Sequence, residues 1–166
     1  RYSRMIWGND NLAIVSDEWY DTRNTKTYII NPSNPSQAPK VIFDRNSQDS
    51  YSNPGNFETK KNQYNRYVLA IENNNAFLIG DGFTKKGQFP FITEYNLKTL
   101  QSKRLYTSAY TDKKEDIIEI EDFKKGTVLV QIQSKNEYPN YYLRNIREKN
   151  KLTPITAFKN PFESIK

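Results

Sequence analysis

Histidine and cysteine are both missing from this chain of 166 residues. Without cysteine there is no disulfide framework, no thiolate zinc site and no cysteine nucleophile. Without histidine there is no Ser-His-Asp triad, no Cys-His pair and no imidazole metal ligand. Taken alone, the chain is therefore not a hydrolase of the common kinds, and no cofactor or metal is expected. Long apolar runs are missing as well. The longest, Tyr67-Val-Leu-Ala-Ile71 and Ala76-Phe-Leu-Ile-Gly80, fall far short of the ~20 residues that span a bilayer. The opening residues, Arg1-Tyr-Ser-Arg-Met-Ile-Trp7, lack the apolar stretch of a signal peptide. Arg1 is not a translation start, so the chain is expected to be cut from something longer.

What is present is aromatic and basic. Twelve tyrosines, nine phenylalanines and two tryptophans accompany a formal charge of +6, and the length suits one domain with a respectable core. Apolar residues recur in short blocks bounded by turn signals, which predicts strands. Leu12-Ala-Ile-Val-Ser16 is one block and Lys26-Thr-Tyr-Ile-Ile30, stopping at Asn31-Pro32, is another. Val41-Ile-Phe43 follows a proline-bearing stretch, and residues 44–65 form a long polar segment with Asn53-Pro54-Gly55 as its clearest turn. Further strands are expected at 66–71, 76–80, 89–95, 103–107, 127–133, 141–146 and 151–155. Residues 112–126 read two ways. Asp112-Lys-Lys-Glu115 resembles a capping box before a helix, but Ile118-Glu-Ile-Glu121 alternates with period two, which favours a strand.

The blocks repeat as a unit. A compact strand at Ala13, Phe77 or Leu129 is followed by an aromatic-rich strand around Tyr28, Phe91 or Tyr141. A hairpin and a short strand at Val41, Arg104 or Leu152 then close each unit, with spacings of 64 and 52 residues between units. Propeller blades commonly repeat at about 40–50 residues. The expected fold is all-β, a partial β-propeller of about three blades of four antiparallel strands. The blades fall at approximately 1–44, 66–108 and 115–158, with an insertion at 45–65, all within one domain. A β-sandwich of similar strand count is the alternative.

Candidate chemistry is thin in the residues themselves. Gly80, Gly82 and Gly87 could suggest a phosphate loop, but Gln88-Phe-Pro-Phe91 follows where a helix would have to open. Basic and aromatic residues alternate near Lys60, Lys61, Tyr64 and Arg66, yet no basic run exceeds two residues, which argues against a nucleic-acid surface. The carboxylates Asp17, Glu18, Asp21, Asp49, Asp81, Glu94 and Glu137 could include a glycosidase acid and base. Solvated loop charges are the plain reading of them.

Whole phrases are nevertheless recognisable. Asp44-Arg45…Asp49-Ser-Tyr51-Ser-Asn-Pro54-Gly55 resembles the D-R-x-x-x-D-x-Y-x-x-P-G stretch of prolyl oligopeptidase-family serine peptidases, in their glutamyl-peptidase-like branch. Gly80-Asp-Gly82…Gly87-Gln-Phe-Pro90-Phe91-Ile92 resembles that branch's glycine-rich loop before Pro-Phe, and Glu137-Tyr-Pro139-Asn140-Tyr141-Tyr142 its E-P-P-N-Y-Y. Leu152-Thr…Phe158-Lys-Asn-Pro161 is similar to the tail leading out of the propeller. Departures occur at Phe83, Thr84 and Lys85 (for Ala, Ser, Pro), at Phe89 (for Arg), and at Gln48, Gln133 and Tyr138.

The resemblance implies a non-catalytic propeller segment of a serine oligopeptidase. Such a segment would gate and position short peptides for a C-terminal Ser-Asp-His domain that this chain does not contain, with cleavage after glutamate. Its partners would be further propeller blades, that hydrolase domain and peptide substrate. Exposed blade edges would promote self-association, and bacterial members are often exported. A free-standing propeller binding peptide, glycan or protein, and a carboxylate-based glycosidase, are the rival readings. The motif positions Tyr51, Pro54, Gly55, Gly80, Gly82, Gly87, Pro90, Phe91, Glu137, Pro139, Asn140 and Tyr141 are read as mainly structural. Gly55 would take positive φ in a turn, Pro90 would fix a loop exit, and Pro139-Asn140 would start a strand.

Overall fold

The structure, a computed structural model, describes residues 1–162. The first sheet is a meander of β1 (Tyr2–Asn9), β2 (Leu12–Trp19), β3 (Asn24–Ile30) and β4 (Lys40–Asn46), paired in chain order. Every pairing in it is antiparallel. A two-residue turn joins β1 to β2, where Asn9 Oδ1 accepts the Asn11 amide at 2.9 Å. Asn, Asp and Ser provide such local bonds readily, which is why they mark turns.

The segment between the first and second sheets is partly ordered into β5 (Asn56–Phe57) and β6 (Thr59–Lys61). β6 pairs with β7 (Tyr67–Leu69), while β5 and β8 (Ile71–Glu72) both pair with β9 (Asn75–Gly80). A small hairpin of β10 (Phe83–Thr84) and β11 (Gly87–Gln88) follows. β12 (Phe91–Asn96) and β13 (Ser102–Thr107) complete the second sheet, in the order β13-β12-β9-β5. The third sheet is again a meander, of β14 (Lys114–Asp122), β15 (Thr127–Gln133), β16 (Asn140–Asn145) and β17 (Lys151–Pro154).

The fold is thus all-β, with three successive antiparallel sheets built on a four-strand up-and-down plan and no helix among the described residues. Each sheet pairs its strands in chain order, as propeller blades do, whereas a sandwich would interleave strands between two sheets. Residues 112–126 form a strand and hairpin, not a helix. Strict alternation nevertheless fails there. A bulge between Ile117 and Glu119 brings Ile117 and Ile120 opposite Val130 and Val128, so Ile120 is buried and Ile118 is 45% exposed. β1 has little sequence signal, because Ile6 is its only buried residue.

Contacts cluster in two units, 1–78 with 94–102, and 79–93 with the described residues from 103 onward. In the first unit Ile6, Ile14, Phe57, Leu69, Ala76, Leu78 and Tyr95 form the core. Phe43, Phe57 and Tyr95 pack ring to ring at 5.6–6.3 Å. In the second unit Ile92, Val128, Val130 and Ile132 are buried, and the Arg104 guanidinium lies 3.5 Å over the Phe91 ring.

Candidate functional site

The phrase from Asp44 to Gly55 shapes a cavity in the first unit. Arg45, near the end of β4, donates from Nη2 to the Asp49 carbonyl at 2.6 Å. The Asp49 carboxylate accepts the amides of Tyr51 and Ser52 at 3.0 and 3.3 Å. Its pKa is held below the usual carboxylate range, chiefly by the Ser52 hydroxyl and then by those amides and Arg45. The Asn53 side chain accepts the Gly55 amide at 3.0 Å, and Gly55 sits at φ 95, where a side chain would be strained. Tyr51 points into solvent. The loop so folded closes one side of a cavity of about 240 Å³, and Pro54 and Gly55 line it. The other walls are one face of the first sheet, including Arg4, Thr25, Thr27, Phe43 and Arg45.

In the second unit the glycine phrase builds a hairpin and carries no phosphate-loop geometry. β9 ends at Gly80 and β10 and β11 double back without a helix. A Cβ on Gly80 would stand 2.2 Å from the Phe91 ring, and one on Gly82 1.8 Å from the Phe89 carbonyl. Gly82 also has φ +66 and accepts the Phe89 amide at 2.9 Å. Gly87 accepts the Thr84 hydroxyl at 2.9 Å, and the Pro90 carbonyl accepts the Ser108 amide at 2.8 Å. These positions are held by close backbone approach.

The third phrase fastens the outgoing chain. Asn140 opens β16, and its Oδ1 accepts the Thr156 hydroxyl at 2.8 Å and the Phe158 amide at 2.6 Å. Its Nδ2 donates to the Tyr138 and Phe158 carbonyls, each at 3.1 Å. The Tyr141 carbonyl accepts the Ile155 amide at 2.9 Å. Glu137 pairs with Lys113 at 2.6 Å, which raises the Lys113 pKa, while Pro139, just before β16, is half-buried.

One cluster in the second unit escaped the sequence reading. Arg144 donates from Nε to Glu115 at 2.8 Å, and Tyr106 donates its hydroxyl to the other Glu115 oxygen at 2.6 Å. Arg144 also reaches the Tyr110 hydroxyl at 3.2 Å and the Asn150 carbonyl at 3.1 Å. Burial disfavours the Arg144 charge, yet Glu115 and Tyr110 outweigh it and raise the pKa. Burial, then the Glu115 bond, raises Tyr106 far above an ordinary tyrosine. The sequence offered Glu115 only as part of a capping box, Asp112-Lys-Lys-Glu115, whereas it lies on a strand and turns inward to Arg144.

Four of the scattered carboxylates are engaged separately. Asp17 accepts the Tyr28 hydroxyl and Glu18 the Ser47 hydroxyl, Glu137 holds Lys113, and Asp49 caps its own loop. The cavity beneath the Asp44–Gly55 loop has no carboxylate in its lining. Among the described residues, no group of three acidic side chains could hold a metal ion.

Two curated relatives match nearly the whole chain. A protein of Oryza sativa subsp. japonica named "Probable glutamyl endopeptidase, chloroplastic" is 32% identical over 181 aligned residues, covering 99% of this chain and 19% of that protein. An Arabidopsis thaliana protein of the same name is 31% identical over 182, covering 99% of this chain and 18% of that protein. The chain therefore spans about a fifth of the length of these relatives. No family model matches the chain, and no solved structure matches it. By these likenesses the chain is similar to one segment of larger proteins named as peptidases.

Proposed function

We propose that this chain is a non-catalytic propeller segment of a serine oligopeptidase, which admits short peptides to a Ser-Asp-His hydrolase domain elsewhere in the same protein. The observation that carries the reading is the match to relatives named as glutamyl endopeptidases, end to end in this chain and over about a fifth of theirs. Two further observations support it. The four-strand sheets have blade topology, and the absence of histidine leaves the chain without the general base of such a triad.

The segment would act by exclusion and by field. A propeller capping the hydrolase keeps folded proteins from the nucleophile while extended peptides pass. The formal charge of +6 draws acidic peptides toward it, an attraction that salt weakens. Preference for cleavage after glutamate belongs to the same proposal.

The test is the full-length protein. Its reading frame is expected to contain G-x-S-x-G with a downstream Asp and His, and the purified protein to cut short glutamate-containing peptides while sparing folded substrates. A frame without those residues, or equal cleavage of folded and short substrates, would overturn the reading.

A further inference from the structure

The hairpin of β6 and β7 carries a side-chain pattern that neither gating nor the blade plan requires. Residues 59–71 contain no acidic residue, while Lys60, Lys61 and Arg66 are basic and Tyr64 and Tyr67 aromatic. Lys60 is spent on Glu72, at 3.2 Å. Among the described residues neither Lys61 nor Arg66 takes part in an ion pair, and both are exposed. Tyr64 is 74% and Tyr67 67% exposed, so these rings add little to the core of the unit. The tip therefore presents two open tyrosines and two uncompensated cations to solvent.

Local bonds hold this tip in shape. Lys61 pairs with Tyr67 at the end of the ladder, and its ammonium lies 5.5 Å from the centre of the Tyr67 ring. Asn62 Oδ1 accepts the amides of Tyr64 and Arg66 at 2.9 and 3.0 Å. The Asn62 amide donates to the Arg66 carbonyl at 2.9 Å, and the Asn62 carbonyl accepts the Asn65 amide at 3.0 Å. Asn65 takes φ 57, a conformation that asparagine tolerates in turns. The amides of Asn62, Tyr64, Asn65 and Arg66 are thus all bonded within the hairpin. Such a tip offers few backbone donors to a soluble anion, and it loses little on leaving bulk water.

We propose that the β6–β7 tip docks on an anionic lipid surface, with Tyr64 and Tyr67 at the headgroup level and Lys61 and Arg66 among the lipid anions. Tyrosine suits that boundary, because its ring is apolar and its hydroxyl stays in water. The Lys61 and Arg66 stems reach along the rings and keep their charge among the headgroups. A convex hairpin tip meets a flat bilayer, whereas single-stranded nucleic acid is tracked by a positively charged groove. The contact is peripheral, made by one turn and its flanking strands. It stands on the geometry of the hairpin and does not depend on the gating reading.

The experiment is co-sedimentation of the chain with vesicles of equal parts phosphatidylserine and phosphatidylcholine, against vesicles of phosphatidylcholine alone. Retention is expected on the mixed vesicles only, and it should weaken as salt is raised. Lys61→Gln with Arg66→Gln should weaken it by at least about tenfold, since each cation near the surface adds attraction. Tyr64→Ser with Tyr67→Ser should weaken it severalfold. Lys149→Gln with Lys151→Gln, which removes two exposed cations elsewhere, should leave it unchanged. In Tyr64→Trp, brominated lipid should quench indole emission beyond the quenching seen in the unaltered chain, which reports contact at the tip itself. This single exposed replacement keeps the test decisive if a double variant disturbs the hairpin. Equal retention on neutral vesicles, equal loss in the Lys149 and Lys151 variant, or no added quenching would overturn the proposal. So would an oligothymidylate that strips the chain from the vesicles and is itself bound less well by the tip variants, because the tip would then be a nucleic-acid contact.

Discussion

Arg144 on β16 and Glu115 on β14 form a 2.8 Å ion pair whose side chains are 6% and 0% exposed. The strand between them, β15, contributes Val128, Val130 and Ile132 to the same face. A buried pair of this kind is held together by its desolvated partners, and losing one strands the other. Arg144→Met or Glu115→Leu should each destabilise the second unit by about 3–5 kcal/mol, while the two combined should cost clearly less than the single losses added together. Urea unfolding of the four proteins measures this. Strict additivity would show that the pair does not act as a unit.

Gly82 is fixed by both its φ of +66 and the Phe89 carbonyl, 1.8 Å from where a Cβ would stand. Gly82→Ala should therefore cost at least about 2 kcal/mol. Lys85→Ala in the exposed turn of the same hairpin should stay within about 0.5 kcal/mol. Thermal melts of the two variants side by side check the contrast.

Asn140 makes four hydrogen bonds, three of them to Thr156 and Phe158 in the outgoing chain. Asn140→Ala should free that chain with a loss of about 1–2 kcal/mol. Limited proteolysis reads it directly: cleavage near 155–160 should accelerate severalfold, with the β14–β15 hairpin still protected. Unchanged cleavage would mean that the β16–β17 ladder alone holds the tail.

Asp44, Asp49 and Asp122 are all held below the usual carboxylate range. The first causes are the Asn24 side-chain amide, the Ser52 hydroxyl and the Lys125 backbone amide respectively. A folded-state pKa below the unfolded one gives stability that is present above about pH 4 and is lost as pH falls through the folded value. Lys113, raised by Glu137, works the other way. Its contribution is present below about pH 10 and is lost as pH rises through the folded value. Urea midpoints measured from pH 2 to 11 should form a plateau that falls at both ends. Asp49→Asn should flatten the acid limb modestly, because Asp49 is exposed and screened.

Met5, Val15, Tyr28 and Val41 pair in one row on the first sheet, and Trp7, Ala13 and Ile30 in the next. Trp7 is 50% and Val41 48% exposed on that face. Ala13 between them is fully buried, so Trp7 and Val41 are the exposed apolar side chains of these rows, and such groups favour association. Sedimentation velocity of the isolated chain should show oligomers that dissociate on dilution, and Trp7→Lys with Val41→Lys should return it to monomer. A clean monomer at high concentration would mean that this face does not drive association.

The sequence by itself determined the longer central strands and the main turns, but not β1, β5, β6 or the β10–β11 hairpin. Alternating Val, Ile, Tyr and Phe blocks bounded by Asn, Pro and Gly fix local conformation, because side-chain period and turn chemistry act over a few residues. Ala13, Phe77 and Leu129 marked the compact strand that opens each repeating unit, and they lie in β2, β9 and β15, where the structure adds a further strand ahead of each in its sheet. Gly55 and Gly82 could be read as backbone positions for the same reason. Only the tertiary structure decided which polar residues go inside. Glu115 in its polar run, Arg4 on a strand with one buried residue, and the bulge that buries Ile120 instead of Ile118 have no local signature. Their environment comes from partners such as Arg144, 29 residues away, and burial of charge is a property of what packs around a group. The cavity beneath the Asp44–Gly55 loop is a consequence of the same kind, assembled from strands whose residues are neighbours only once the sheet has formed.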